Sequence, residues 1–212
     1  MSDSTRKRVG RTSLADYAGF AKAWASAPLR TGAIAPSSRA LAREMAFAGA
    51  PSAGTRVVEL GPGTGIVTEA LLEYGVREQD LVLVELNPEF AVALKARYHS
   101  ATVLTDDAFN AVQAMRKSPE PVSAVISSLP LLVHPHHRRI DLVREALNLA
   151  GPFGRFVQFT YSLAAPVRPT GPLRAMRSRR IWGNVPPAVV WTYQHKVLAH
   201  DRRSARPNCL ND

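Results

Sequence analysis

The chain has 212 residues, with 27 Lys and Arg against 17 Asp and Glu, so its formal net charge is +10. That length suits one compact domain with short extensions, and that charge points to an anionic partner, either nucleic acid or an anionic membrane. A lone Cys209 excludes a disulfide framework and fits a reducing compartment, while the longest uncharged stretch, 121–137, is broken by Pro130 and Pro135 and is too short to cross a bilayer.

Residues 1–12 are polar and basic, with no apolar run behind Arg6, Lys7 and Arg8, so they do not read as a secretory signal. From Ser13 to Ala27 the pattern is helical: Leu14, Tyr17, Ala18, Ala21 and Ala25 recur at three- and four-residue steps, and Phe20 and Trp24 widen the apolar face. Aromatic residues beside Arg11 and Lys22 fit an interfacial helix lying along a headgroup layer. Pro28 ends it. A second helix is expected over 38–48, capped by Ser37 or Ser38.

The middle of the chain alternates. Arg56–Leu60 reads as a strand, Gly61–Gly65 as a turn and Ile66–Tyr74 as a helix. Leu81–Glu85 is a strand, Pro88–Tyr98 a helix opened by proline, and Thr102–Leu104 a strand. A helix follows from Asp106-Asp107 to about Lys117, then a strand over Val122–Ser127, a helix over His136–Leu149 and a strand over Arg155–Tyr161. The end departs from this rhythm. Arg177–Gly183 and Val189–Leu198 are expected as a hairpin across Asn184 to Pro187, after a loop from Ala164 to Met176 too long to be a bare connector. The whole predicts an α/β fold: a mainly parallel sheet with helices on both faces and an antiparallel C-terminal hairpin.

The glycine turn follows a strand and opens a helix, the context that gives such a motif meaning. Gly61 permits the bend, Gly63 and Gly65 allow backbone to approach a ligand, and Gly63, Thr64 and Gly65 are candidate donors because Pro62 has no N–H. A dinucleotide fingerprint would carry its third glycine one residue later, where Ile66 stands. Glu59 adds a carboxylate that suits a ligand's ammonium and would repel a pyrophosphate. Glu85 ends the second strand, where it can accept from both hydroxyls of a ribose. Asp107, or its neighbour Asp106, can accept from an amino group or simply cap the following helix. Three histidines, His134, His136 and His137, lack a nearby cysteine, and no metal site is expected.

These residues resemble class I S-adenosylmethionine-dependent methyltransferases over about residues 30–200, which implies a Rossmann-like sheet. Gly32-Ala-Ile-Ala-Pro-Ser-Ser38, Ser127-Ser-Leu-Pro-Leu-Leu132, Gln158-Phe-Thr-Tyr161 and Trp182-Gly-Asn-Val-Pro-Pro-Ala188 resemble more closely the bacterial phospholipid N-methyltransferases. The resemblance implies S-adenosylmethionine as cofactor, S-adenosylhomocysteine as product, and stepwise methylation of phosphatidylethanolamine toward phosphatidylcholine. It carries Glu59, Gly61, Gly63 and Glu85 over as cofactor residues; Thr64, Gly65, Leu86, Asp107, Ala108 and Ser127 complete that expected set. The family is also similar to rRNA adenine dimethyltransferases, whose Asn-Leu-Pro-Tyr type motif here reads Ser128-Leu-Pro-Leu131. The amide has become a hydroxyl and the stacking ring an aliphatic chain, and little sequence follows the sheet to make an RNA-gripping domain. No nucleic acid partner is expected on these grounds.

Tyr161 and Ser128 are the expected catalytic residues, with cation–π stabilisation of a growing cation as one role for the tyrosine. Tyr17, Trp24, Ser37, Ser38, Leu129, Pro130, Arg180 and Tyr193 are the expected substrate contacts. Arg168, Arg174, Arg177, Arg179 and Arg180 form a second basic group suited to an anionic surface. The expected organisation is a basic membrane-interface segment over 1–29, a methyltransferase domain over 30–200 and a polar tail over 201–212. The expected setting is the cytoplasm, as a monomer bound peripherally to the inner face of the cell membrane.

Overall fold

The computed structural model describes residues 38–118 and 120–196. The interfacial helix expected over Ser13–Ala27, with Tyr17 and Trp24, lies outside the described residues, as do Ser37 and the tail over 201–212.

The elements are α1 (Arg39–Gly49), β1 (Arg56–Leu60), α2 (Ile66–Glu73), β2 (Leu81–Glu85), α3 (Pro88–Arg97), β3 (Thr102–Thr105), α4 (Ala108–Met115), β4 (Val122–Ser127), α5 (His136–Ala150), β5 (Arg155–Thr160), β6 (Leu173–Arg177) and β7 (Val189–His195). The strands form one sheet in the order β3-β2-β1-β4-β5-β7-β6. The first five pair in parallel, and β7 and β6 add antiparallel pairs at one edge. This is the mainly parallel α/β sheet with a closing hairpin that the alternation predicts.

Burial on both faces explains the run of four aliphatic residues in β2, all buried together with Glu85 at its end. Val57, Leu81, Leu83, Ala124, Ile126 and Val157 pack on one face with Leu41, Met45 and Leu71 of α1 and α2. Val58, Leu60, Val82, Val84, Val125 and Phe156 pack on the other with Val112, Leu142, Val143 and Leu147 of α4 and α5. The period of two in each strand therefore sorts side chains between two cores. Helix starts follow their caps: Ser38 Oγ accepts from Leu41 N–H, Asn87 Oδ1 from Glu89 N–H, and Asp107 Oδ1 from Phe109 and Asn110 N–H.

The hairpin differs from its expected register. Its first strand is β6, inside the segment expected as a loop, and of Arg177–Gly183 only Arg177 lies in that strand. Ser178 still pairs with Val190 through its backbone, and its Oγ accepts from the Val190 N–H. Beyond it one isolated bridge, Ile181 to Ala188, is all that continues the ladder. The physical reason lies in Asn184, whose fully buried side chain anchors the loop elsewhere, and in Trp182, which stays 71% exposed rather than entering the sheet. In β6 the half-buried Leu173 and Ala175 alternate with the exposed Arg174, a pattern one turn after Gly171-Pro172.

Candidate active site

The bend between β1 and α2 is built from three glycines with positive φ, 70° at Gly61, 56° at Gly63 and 82° at Gly65. They serve different ends. A Cβ on Gly61 would meet Leu129 Cδ2 at 2.8 Å, and one on Gly65 would meet Tyr98 Oη at 3.0 Å, whereas one on Gly63 meets nothing within 4 Å. Only Gly63 thus faces open space. The expectation that Gly65 clears room for a ligand is corrected: its missing side chain clears room for Tyr98 of the α3 C-cap, whose hydroxyl donates to the Gly65 carbonyl.

The N–H groups of the bend are also partly spent. Gly61 N–H donates to Val84 O and Gly65 N–H to Pro62 O, both at 2.9 Å. Gly63 N–H donates to Glu85 Oε2 at 3.0 Å. Of the three expected donors this leaves Thr64. The bend binds less through its backbone than its composition suggests, because two of its N–H groups hold the bend's own shape.

Two carboxylates meet at this bend. Glu85 ends β2 and is nearly buried; its Oε1 accepts from Asn87 N–H at 2.9 Å and its Oε2 from Gly63. Each oxygen keeps a further lone pair, so the group can still take a hydroxyl donor on each side. Glu59 is fully buried at the end of β1. Thr68 of α2 donates to its Oε2 at 2.6 Å, while its Oε1 is buried without a partner. Burial pushes the Glu59 carboxyl up to about 8; the Thr68 hydroxyl opposes that rise and the charge of Glu85 adds to it. A buried carboxylate oxygen without a donor is costly unless something cationic fills the gap. An ammonium-bearing nucleoside fits this pair: the cation answers Glu59, and the sugar diol answers Glu85.

The remaining expected cofactor positions surround the same edge. Leu86 follows Glu85; Asp107 and the buried Ala108 follow β3; Ser127 is fully buried at the end of β4. Asp107 Oδ1 is used as a helix cap, and Asp106 Oδ1 accepts from Asp107 N–H at 2.7 Å.

Comparison with known proteins agrees with this geometry. The family model for ribosomal RNA adenine dimethylase matches residues 40–130. An ornithine lipid N-methyltransferase of Singulisphaera acidiphila is 30% identical over 132 residues, which cover 60% of this chain and 68% of that protein. The chain belongs to the class I S-adenosylmethionine-dependent methyltransferases. Within them it is related to rRNA adenine dimethyltransferases and to lipid-methylating homologues. Ribosomal RNA small subunit methyltransferase A of Hydrogenobaculum sp. is 42% identical over 52 residues, 24% of this chain and 20% of that one. Among solved structures, TrmN from Thermus thermophilus shares the fold at 19% identity and a TM-score of 0.54, over 73% of this chain and 48% of its own.

In this methyltransferase the segment after β4 departs from its expected role. Leu129 O already accepts from Gln158 Nε2 and from Leu131 N–H, and Pro130 O accepts from Val133 N–H. Leu129 and Pro130, expected as substrate contacts, thus have both carbonyls engaged within the chain. Leu129 itself covers Gly61, and Leu131 is buried in the core. Ser128 is half-buried; its N–H donates to Leu60 O, tying the segment to β1. Gln158, which sequence reasoning passed over, holds the segment from β5 and keeps a buried Oε1 without partner.

Tyr161 follows β5, half-buried and edge-on to Phe159 with ring centroids 5.6 Å apart. Burial raises its hydroxyl pKa, and a hydrogen bond from Asn184 lowers it. Asn184 is the second residue sequence reasoning missed. Its Oδ1 accepts from Ser38 N–H and its Nδ2 donates to Pro186 O, both at 2.8 Å. The amide thereby joins Ser38, Tyr161 and the β6–β7 loop. Its signal stood inside the quoted Trp182–Ala188 segment, as a polar residue between glycine and proline. Ser38 is thus brought beside Tyr161, though as a helix cap first.

One expected substrate contact, Tyr193, is not brought to this place. Tyr193 is fully buried against the opposite face with Phe156, 6.1 Å between ring centroids, and its hydroxyl both accepts from Val167 N–H and donates to Val167 O. It is a core residue because β7 residues alternate between faces and 193 falls on the α5 side. Arg180 is exposed in the β6–β7 loop, with its guanidinium over the Trp182 ring at 5.4 Å. Among the described residues no three His, Cys, Asp or Glu side chains are placed to hold a metal, and no helix is long and apolar enough to cross a membrane. His134 packs edge-on against Phe109.

Proposed function

We propose that this enzyme N-methylates the amine of a membrane lipid, with phosphatidylethanolamine and its mono- and dimethyl forms as the substrates. The observation that carries the reading is the fate of Leu131. Where the RNA-methylating relatives would present a ring to a flipped base, this chain buries an aliphatic residue, and it engages the adjacent Leu129 and Pro130 carbonyls internally. A nucleobase would find no stacking partner at that position. The likeness to an ornithine lipid N-methyltransferase supports a lipid amine independently. The ribosomal RNA adenine dimethylase match over residues 40–130 favours the second reading, an RNA substrate, but Ser128 and Leu131 depart from the motif of that family.

The bound cofactor supplies an electrophilic methyl group on a sulfonium. The protein's part is binding, orientation and exclusion of water. Glu59 and Glu85 would hold the ammonium and the sugar diol, and Asp107 would accept from the adenine amino group. Ser128 and Tyr161 border the space where the amine must approach in line, at roughly 3–3.5 Å. The Tyr161 ring face can meet the cation that forms.

The test is methyl-labelled cofactor with three separate acceptors: phosphatidylethanolamine vesicles, an ornithine-type amino lipid, and total RNA. Label in phosphatidylethanolamine is the expected result. Label in the ornithine-type lipid alone changes the headgroup but keeps the lipid amine, and label in RNA alone refutes the reading.

A further inference from the structure

Strands β4 and β5 run in parallel, so their following loops leave the sheet at the same edge. β7 is antiparallel to β5 with Thr160 opposite Val189, so the loop that precedes β7 reaches that edge too. Large apolar side chains collect there. Of nine exposed ones among the described residues, five lie in these loops: Leu132, Val133, Leu163, Trp182 and Val185, all between 49 and 71% exposed. Single exposed apolar residues are ordinary, but five from three neighbouring loops mark an interaction surface.

The charge of this region is one-sided. Residues 146–200 contain no Asp or Glu, and neither do 121–140. Arg179 and Arg180 stand exposed beside Trp182. The carboxylates assigned to the cofactor lie instead on the β1, β2 and β3 side of the sheet. Aliphatic tips flanked by arginine, with no acid among them, match the layering of an anionic bilayer: phosphates outside, hydrocarbon within. They match RNA poorly, because four of the five tips have no ring on which a base could stack.

We propose that the carboxyl edge of β4, β5 and β7 is a membrane-docking face that seats Leu132, Val133, Leu163, Trp182 and Val185 in the headgroup layer of an anionic bilayer, with Arg179 and Arg180 on its phosphates. The inference rests on the lipid reading above and extends it. Ser128 and Tyr161 belong to the same edge, so docking opens the reactive space directly onto the lipid surface, and a headgroup amine need not leave the membrane to be methylated.

The experiment uses the full chain and a triple variant, Leu163→Asp, Trp182→Ser, Val185→Asp. Co-sedimentation is measured on phosphatidylglycerol vesicles without any amino lipid, in the absence of cofactor. The variant should bind at least 10-fold more weakly. Binding within twofold of the parent overturns the proposal, as does a variant that keeps vesicle binding and loses retention on RNA. Matched S-adenosylhomocysteine affinity and thermal midpoint show that the variant is folded. Methylation of a short-chain, water-soluble phosphatidylethanolamine separates the two readings. Vesicle binding lost with soluble-lipid methylation kept is the expected pair. If no lipid is ever methylated while vesicle binding still depends on these loops, the substrate assignment fails and the docking face stands.

Discussion

Replacing Glu59 with Gln turns the buried carboxylate into a measurable pH dependence. In the folded protein this group titrates near 8, against 4.5 for an unhindered glutamate. Between those values the folded state holds a proton that the unfolded state has released. Stability from this site is therefore complete below about pH 4.5 and is lost as pH rises through 8. Each pH unit in that window corresponds to about 1.4 kcal/mol. At pH 7 the parent should give up about 3 kcal/mol of stability to keep Glu59 neutral in the folded state, a cost that glutamine does not carry. The variant, which can still accept from Thr68, should gain on the parent steadily from pH 5 to 8 and then hold a constant lead. Urea unfolding at unit pH steps from 5 to 9 reads that difference directly. The same variant should bind S-adenosylhomocysteine at least tenfold more weakly, because its side chain cannot ionise to meet an ammonium. A stability difference that is flat with pH would refute the buried-carboxylate argument, and unimpaired binding would refute the ammonium role.

Other substitutions separate binding from folding. Gly65→Ala should cost about 1–2 kcal/mol for its left-handed backbone, with added strain against Tyr98, and lower the denaturation midpoint. Gly63→Ala should carry the same left-handed backbone cost of about 1–2 kcal/mol but no clash, and should in addition weaken cofactor affinity in calorimetry. Tyr193→Phe should lose about 1–3 kcal/mol of stability by stranding the Val167 N–H and carbonyl, with kcat/KM unchanged; a fall in kcat/KM at full folding would return Tyr193 to the site. Tyr161→Phe should lower kcat about tenfold, less than the roughly 10²–10⁴-fold of a general acid or base, and Tyr161→Ala should lower it further by removing the ring. An unchanged kcat in both variants would take Tyr161 out of the reaction.

Most of the fold was legible because parallel strands buried on two faces leave unbroken aliphatic runs, as in Leu81–Val84, and because glycine, asparagine and aspartate mark the turns between them. The hairpin was not legible for a physical reason. Leu173–Arg177 carries only two packed residues on one face, while the more apolar Ile181-Trp182 pair invited a strand that the anchored Asn184 loop prevents. At the site, residue types at strand ends pointed to carboxylates near a glycine bend. Pattern alone did not distinguish which glycine packs and which faces space, since Gly63 and Gly65 differ only in whether Tyr98 lies above them. Nor could it show that the Leu129 carbonyl was already occupied, because Gln158 reaches it from 29 residues away.

The hydrogen bond from the Gly63 amide to Glu85 joins two recognition tasks that sequence keeps 22 residues apart. If Glu85 takes the sugar and the bend the amino-acid end, as proposed, a shift of Glu85 also adjusts the bend. Adenosine and methionine offered as separate fragments should therefore help each other bind, and trimming Glu85 to alanine should abolish that cooperation as well as the sugar contact itself.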